Sequence, residues 1–184
     1  RYDLGEAARA LYDFIWTEFC DWYVEMIKPH LYGRGGEAAK LASQYVLWLV
    51  LEGTLRLLHP FMPFITEEVW QHLPHAGETI MLSSWPRVEA AHIDPQVEAE
   101  MTAVMDMTRA IRNIRSEKKV APGKEIPVII HADEERMALL KDVEGYLKVL
   151  ARVGDLDLQT VEAVKPEKAV TAVAGGVEMY LPLA

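Results

Sequence analysis

One cysteine, Cys20, stands among 184 residues, so no internal disulfide can form. Its place inside a helical apolar pattern fits a reducing compartment and a cytoplasmic location. The longest uninterrupted apolar run, Tyr45–Leu51, is followed at once by Glu52 and Arg56; it falls far short of the roughly 20 residues a membrane-crossing helix needs. The start, RYDLGEAARA, has neither an initiator Met nor the charged-then-apolar layout of a signal peptide, and it reads as a piece cut from a longer chain. Positive charge is scarce. Against 28 Asp and Glu stand 19 Lys and Arg, a formal charge of -9, which argues against indiscriminate attraction to polyanions or acidic membranes but leaves a local field free to act. Also missing are a glycine-rich phosphate loop, a G-x-S-x-G elbow, an H-E-x-x-H helix and a paired-cysteine metal pattern. No constellation supports a stand-alone enzyme.

What is present is a core-forming chain, 51% apolar, and helical periodicity over its first two thirds. Asp3 and Glu6 have capping-box spacing before a row of Leu4, Ala8, Leu11, Ile15, Phe19, Trp22 and Met26; a second row, Tyr12, Trp16, Cys20, Tyr23 and Ile27, predicts at least two neighbours for this helix. Pro29 ends or kinks it, and Gly33, Gly35 and Gly36 mark a loop. A second helix from Glu37 carries Glu52 on its apolar face, where pairing with Arg56 one turn later is expected. Pro60 and Pro63 then force a corner, with Thr66 as cap of a third helix and Ile65 against Trp70 as a hydrophobic staple. Asp94 caps and Pro95 opens a fourth, packed through Val97, Met101, Val104, Thr108 and Ile111.

After Ala121, Pro122 and Gly123 the period changes. Ile126, Val128 and Ile130 alternate as in a strand, and Asp133 caps a helix bearing Met137, Leu140, Val143, Leu147 and Leu150. Leu156 and Leu158 suggest another strand, and Val170–Ala174, Gly175-Gly176 and Val177 to Leu181 read as a hairpin. The expected architecture is mainly α: an antiparallel helical bundle over 1–120, followed by a small α+β subdomain over 121–184 with a C-terminal β-hairpin.

Six of the basic residues, Arg109, Arg112, Arg115, Lys118, Lys119 and Lys124, cluster in one short stretch opposed only by Glu117. Arg109, Arg112, Arg115 and Lys119 step by three, three and four, so they share a helix face. Such a row suits a nucleic-acid backbone, and a solvated face is the plainer alternative. The aromatics from Tyr12 to Tyr23 could stack bases, although helical spacing already accounts for them as core. His72 and His75 have a ligand-like spacing broken by Pro74, and a helix end explains them better. Cys20 lies on a packed face, a poor place for a reactive thiolate.

Three stretches, EAARALYDFIWTEFCDWYVEMIKP (6–29), LLHPFMPFITEEVWQHL (57–73) and RNIRSEKKVAPGKEIPV (112–128), resemble the valyl-tRNA synthetase family of class I aminoacyl-tRNA synthetases. The second would also fit the enzymes that charge isoleucine or leucine; EFCDWYVEMIKP and RSEKKVAPGKEI fit the valine enzymes better. The resemblance implies a helical anticodon-binding domain, lacking the beginning of its bundle, with a small α+β junction subdomain. Its implied partners are a valine-specific tRNA and the catalytic and editing domains of the same parent chain, with neither DNA nor a membrane. The HIGH and KMSKS motifs of that family are absent, so the piece is expected to be non-catalytic and to hold no cofactor or metal, ATP and Mg belonging to the parent enzyme. Arg109, Arg112, Arg115 and Lys119 are the expected contacts to the tRNA backbone. A docking module without RNA contact is the alternative.

Overall fold

The computed structural model describes residues 3–182, and within them the chain forms two compact units that divide between Ala90 and Ala91. The first is helical. Asp3 opens α1 (Leu4–Asp13) by accepting from the Glu6 amide at 3.1 Å, as the capping spacing requires. The helix runs on as a π-helical segment, Phe14–Val24, and then α2, Glu25–Leu31. A π turn takes more residues than an α turn, so Phe14, Phe19 and Tyr23 come into one row, with stacked rings 6.4 and 6.0 Å apart. Phe19, Trp22 and Ile27 are buried, whereas Tyr12 and Trp16 are exposed and no α1 side chain is buried. Pro29 lies inside α2, and the chain leaves the helix after Leu31.

Gly33, Gly35 and Gly36, all with positive φ, lead into α3, Gly36–Leu58. The corner follows, and α4 spans Pro63–Gln71. Here local geometry differs from the capping expectation. Met62 is the cap residue and proline takes the first helical position, a place where its missing amide donor costs nothing. Thr66 sits inside the first turn, buried, its hydroxyl donating to the Met62 carbonyl at 2.8 Å and lying 2.8 Å from His59 Nδ1. Ile65 is half exposed and lies inside the helix, not at the place before the cap that a staple with Trp70 requires. Trp70, Leu55 and Ile80 make the buried cluster of this unit, with Leu51, Val69 and Leu73 around it. Glu52 does pair with Arg56, at 2.6 Å, and also accepts from Trp70 Nε1 at 3.0 Å. A charge on the apolar face thereby has its partners.

The second unit is a helix layer on a sheet. Its elements are α5 (Pro95–Glu117), β1 (Ile126–Ala132), α6 (Glu134–Ala151), β2 (Val153–Thr160), β3 (Val170–Ala174) and β4 (Val177–Leu181). The strand order is β2-β1-β4-β3; β1 and β2 are parallel, joined across α6, and the other pairs are antiparallel. Asp94 and Asp133 cap the two helices as expected. One core holds Val104, Met107, Ile111 and Ile114 of α5 together with Leu140 and Leu147 of α6 and Val128, Ile130, Met179 and Leu181 of the sheet.

In the structure the compact units divide before the fourth helix, whereas the sequence reading placed the boundary at 120. Alone, α6 sits chiefly over β2, and α5 covers the β3 side; without it the apolar face of the hairpin would be bare. The fourth helix therefore belongs with the α+β unit. Val97, expected in its stripe, is exposed, and Met107 and Ile114 are buried in addition to Val104, Thr108 and Ile111.

Candidate nucleic-acid interface

Helices α5 and α6 run in the same direction. Near their N-terminal ends Gln96, Glu100 and Ala103 share a cleft of about 480 Å³ with Glu135, Leu139 and Asp142. Toward the C-terminal ends Arg112 Nε donates to the Leu150 carbonyl at 3.0 Å. Aligned helix dipoles place positive potential at the first end and negative potential at the second. Charges follow that field, acidic at the N-terminal end and basic at the C-terminal end, so the unit is polarised along α5.

The predicted row meets different fates at this basic end. Arg115 is buried, 7% exposed. Its guanidinium donates to the carbonyls of Lys124 at 2.7 Å, Arg152 at 3.3 Å and Ala121 at 3.4 Å. Desolvation first, and then the charge of Arg152, pull its pKa below the ordinary arginine value. It ties the α5–β1 turn to the end of α6, whereas the sequence expectation had it on an exposed row facing an RNA backbone. The reason is local: at the end of a helix, free carbonyls need donors, and the third member of the row lies where the ends of α5 and α6 meet.

Arg109 is exposed and ion-paired with Asp106 at 3.0 Å. Arg112 is exposed, although its Nε caps Leu150. Lys119 is exposed, with a left-handed backbone, φ 52°. Exposed Lys118, Lys124 and Arg152 belong to the same end. Arg152 escaped the sequence reading because it stands 37 residues beyond Arg115 and shares no period with it. A basic residue just past a helix end is a signal too weak to have found it.

The remaining candidates are accounted for in other ways. His75 stacks on Trp70, ring centres 3.9 Å apart, and His72 Nδ1 lies 2.8 Å from the Glu68 carbonyl. Cys20 is a free, partly buried thiol. On the sheet face away from α5 and α6, Tyr180 donates to Glu178, which pairs with Lys165 at 2.8 Å. The Lys165 contact comes first in holding the Glu178 carboxyl below the ordinary carboxylate value, and Glu178 in turn raises Lys165 and Tyr180. His131 is buried beside the Tyr180 ring, 4.7 Å away, and neither ring nitrogen has a protein partner.

With that geometry in place, the chain can be set beside known proteins. Residues 1–130 match the family model of the anticodon-binding domain of tRNA ligases, and the chain belongs to that family. Within it, the whole chain is similar to the valine–tRNA ligases of Bacillus cereus and Bacillus subtilis, 46% identical over 185 aligned residues in each case. The valine–tRNA ligase of Carboxydothermus hydrogenoformans is 49% identical over 99% of the chain. The chain spans about a fifth of the length of these relatives, 20–21%. The family match crosses the division between the two units and includes all of α5.

Proposed function

We propose that this chain is the tRNA-contacting region of a valine–tRNA ligase, holding the anticodon arm of a valine tRNA while ATP- and Mg-dependent aminoacylation proceeds on another part of the polypeptide. The observation that carries the reading is identity of 46–49% to valine–tRNA ligases along essentially the entire chain. In the first unit, helices α1 to α4 serve as an antiparallel bundle. Its exposed apolar side chains Tyr12, Trp16, Leu41 and Tyr45 meet the catalytic and editing parts of the same polypeptide. A cytoplasmic location fits the single free cysteine, and among the described residues no helix is long and apolar enough to cross a membrane.

RNA affinity in this reading comes from cations meeting phosphates, with base identity read by hydrogen bonds and stacking on the splayed loop. Arg109, Arg112 and Lys119 are the backbone contacts from the original row; Arg115 supports them from beneath. The test is Arg109→Ala, Arg112→Ala and Lys119→Ala together in the full-length polypeptide, followed by charging of valine tRNA. A higher tRNA KM and a shallower salt dependence are expected. An unchanged KM with an unchanged salt slope removes the row from the mechanism.

A further inference from the structure

Lys119 and Arg152 are the two non-glycine residues with positive φ among the described residues, at 52° and 53°. In that region a Cβ crowds the following carbonyl, which is why glycine usually occupies the position just past a helix end. Each of the two closes a helix, Lys119 just beyond α5 and Arg152 directly after α6. One guanidinium joins the two places: Arg115 donates to the Arg152 carbonyl with Nη1, and with Nη2 to those of Ala121 and Lys124, which follow Lys119 in the same turn. Both side chains are exposed.

A cation near a helix C-terminus gains from the dipole. That gain is open to a cation anywhere in the last turn, and Arg112, Arg115, Lys118 and Lys148 already stand in or next to those turns. It gives no reason to put arginine and lysine at the two positions best suited to glycine. Non-glycine residues held in this region cluster at active sites and ligand clamps. The flanking carboxylates Glu117 and Glu125 are outnumbered by Lys118, Lys119, Lys124 and Arg152.

We infer that Lys119 and Arg152 form a two-pronged clamp for backbone phosphates of RNA, a contact that rests on the tRNA-binding reading above and assigns it to a specific pair. Glycine at either position relieves the backbone and removes the charge, so fold and binding should respond in opposite directions.

The experiment uses Lys119→Gly, Arg152→Gly and the double variant in the full-length polypeptide, with a valine tRNA transcript titrated over a range of salt concentrations and thermal unfolding measured in parallel. Melting temperatures should stay level or rise. The slope of log affinity against log salt should flatten by about one for each lost cation, and Lys119→Arg with Arg152→Lys should restore it. Glycine variants that keep the affinity and slope of the unmutated protein, at any melting temperature, overturn the clamp while leaving tRNA binding intact. If the unmutated polypeptide itself retains no tRNA, the broader reading falls, and the clamp falls with it.

Discussion

Arg115 shows how a residue picked for charge can serve structure. Its guanidinium satisfies carbonyls from three separate points in the chain, two in the α5–β1 turn and one at the end of α6. A buried donor of this kind stabilises through charge-assisted hydrogen bonds, and its loss leaves acceptors unpaired. Arg115→Ala should therefore lower the unfolding free energy by about 2–3 kcal/mol, read as a shift of the urea midpoint. Arg109→Ala, which removes an exposed side chain with an i,i+3 pair to Asp106, should cost well under about 1 kcal/mol. Equal costs for the two would contradict the burial argument. The whole row was visible as a helical face in the sequence, but its division into one buried and three exposed members was not. Periodicity reports which residues share a side, and the turn that folds back over that side lies outside its reach.

Among the elements, the β3–β4 hairpin has the most local definition. Gly175 and Gly176 carry φ of 59° and 75°, the left-handed pair that a two-residue turn needs. Their surroundings differ. A Cβ on Gly175 would come within 2.8 Å of the Ala103 carbonyl oxygen and 2.9 Å of Met107 Cγ, whereas on Gly176 it would meet the guanidinium of Arg136, the first contact at 2.6 Å. Backbone of α5 cannot yield, but the end of an arginine can swing away. Gly175→Ala should thus destabilise the unit more than Gly176→Ala, by at least about 1 kcal/mol beyond the shared left-handed penalty. Amide exchange across β3 and β4 measures it, and equal protection in the two variants would sink the explanation. The turn type was legible from Gly-Gly between alternating runs. Its docking against α5 was not, because α5 looked like the last helix of the preceding bundle. The corner between α3 and α4 shows a similar limit: its prolines announced the bend, yet proline itself took the first helical position and Thr66 turned inward.

For the molecule as a whole, pH dependence follows from a few well-partnered groups. Glu67, bonded first by Gln71 and then by Thr79, Asp133, which accepts from the Arg136 amide, and Glu178, paired with Lys165, all have carboxyls held below their ordinary value. A lowered carboxyl stabilises the fold above its unfolded pKa, and the contribution disappears as pH falls through the folded value. Lys165 and Tyr180 are raised, Glu178 being the first cause of each; for them the contribution is present below the ordinary value and vanishes as pH rises through the raised one. Melting temperature should therefore be level through neutrality, decline below the ordinary carboxylate range and decline again in strong alkali. Glu178→Gln should weaken both limbs, since it removes the shared partner. A superimposable profile from that variant would show that the cluster does not couple to folding.

Most element types, the caps at Asp3, Asp94 and Asp133, the Glu52–Arg56 pair and membership of a tRNA-ligase family could be read along the chain, because they depend on residues within a turn or two of one another or on contiguous motifs. The assignment of α5 to the sheet, the burial of Arg115 and its bridging of the α5–β1 turn to Arg152 emerged only in three dimensions. Each depends on which apolar faces find one another across long chain separations, and on which carbonyls are then left needing a donor.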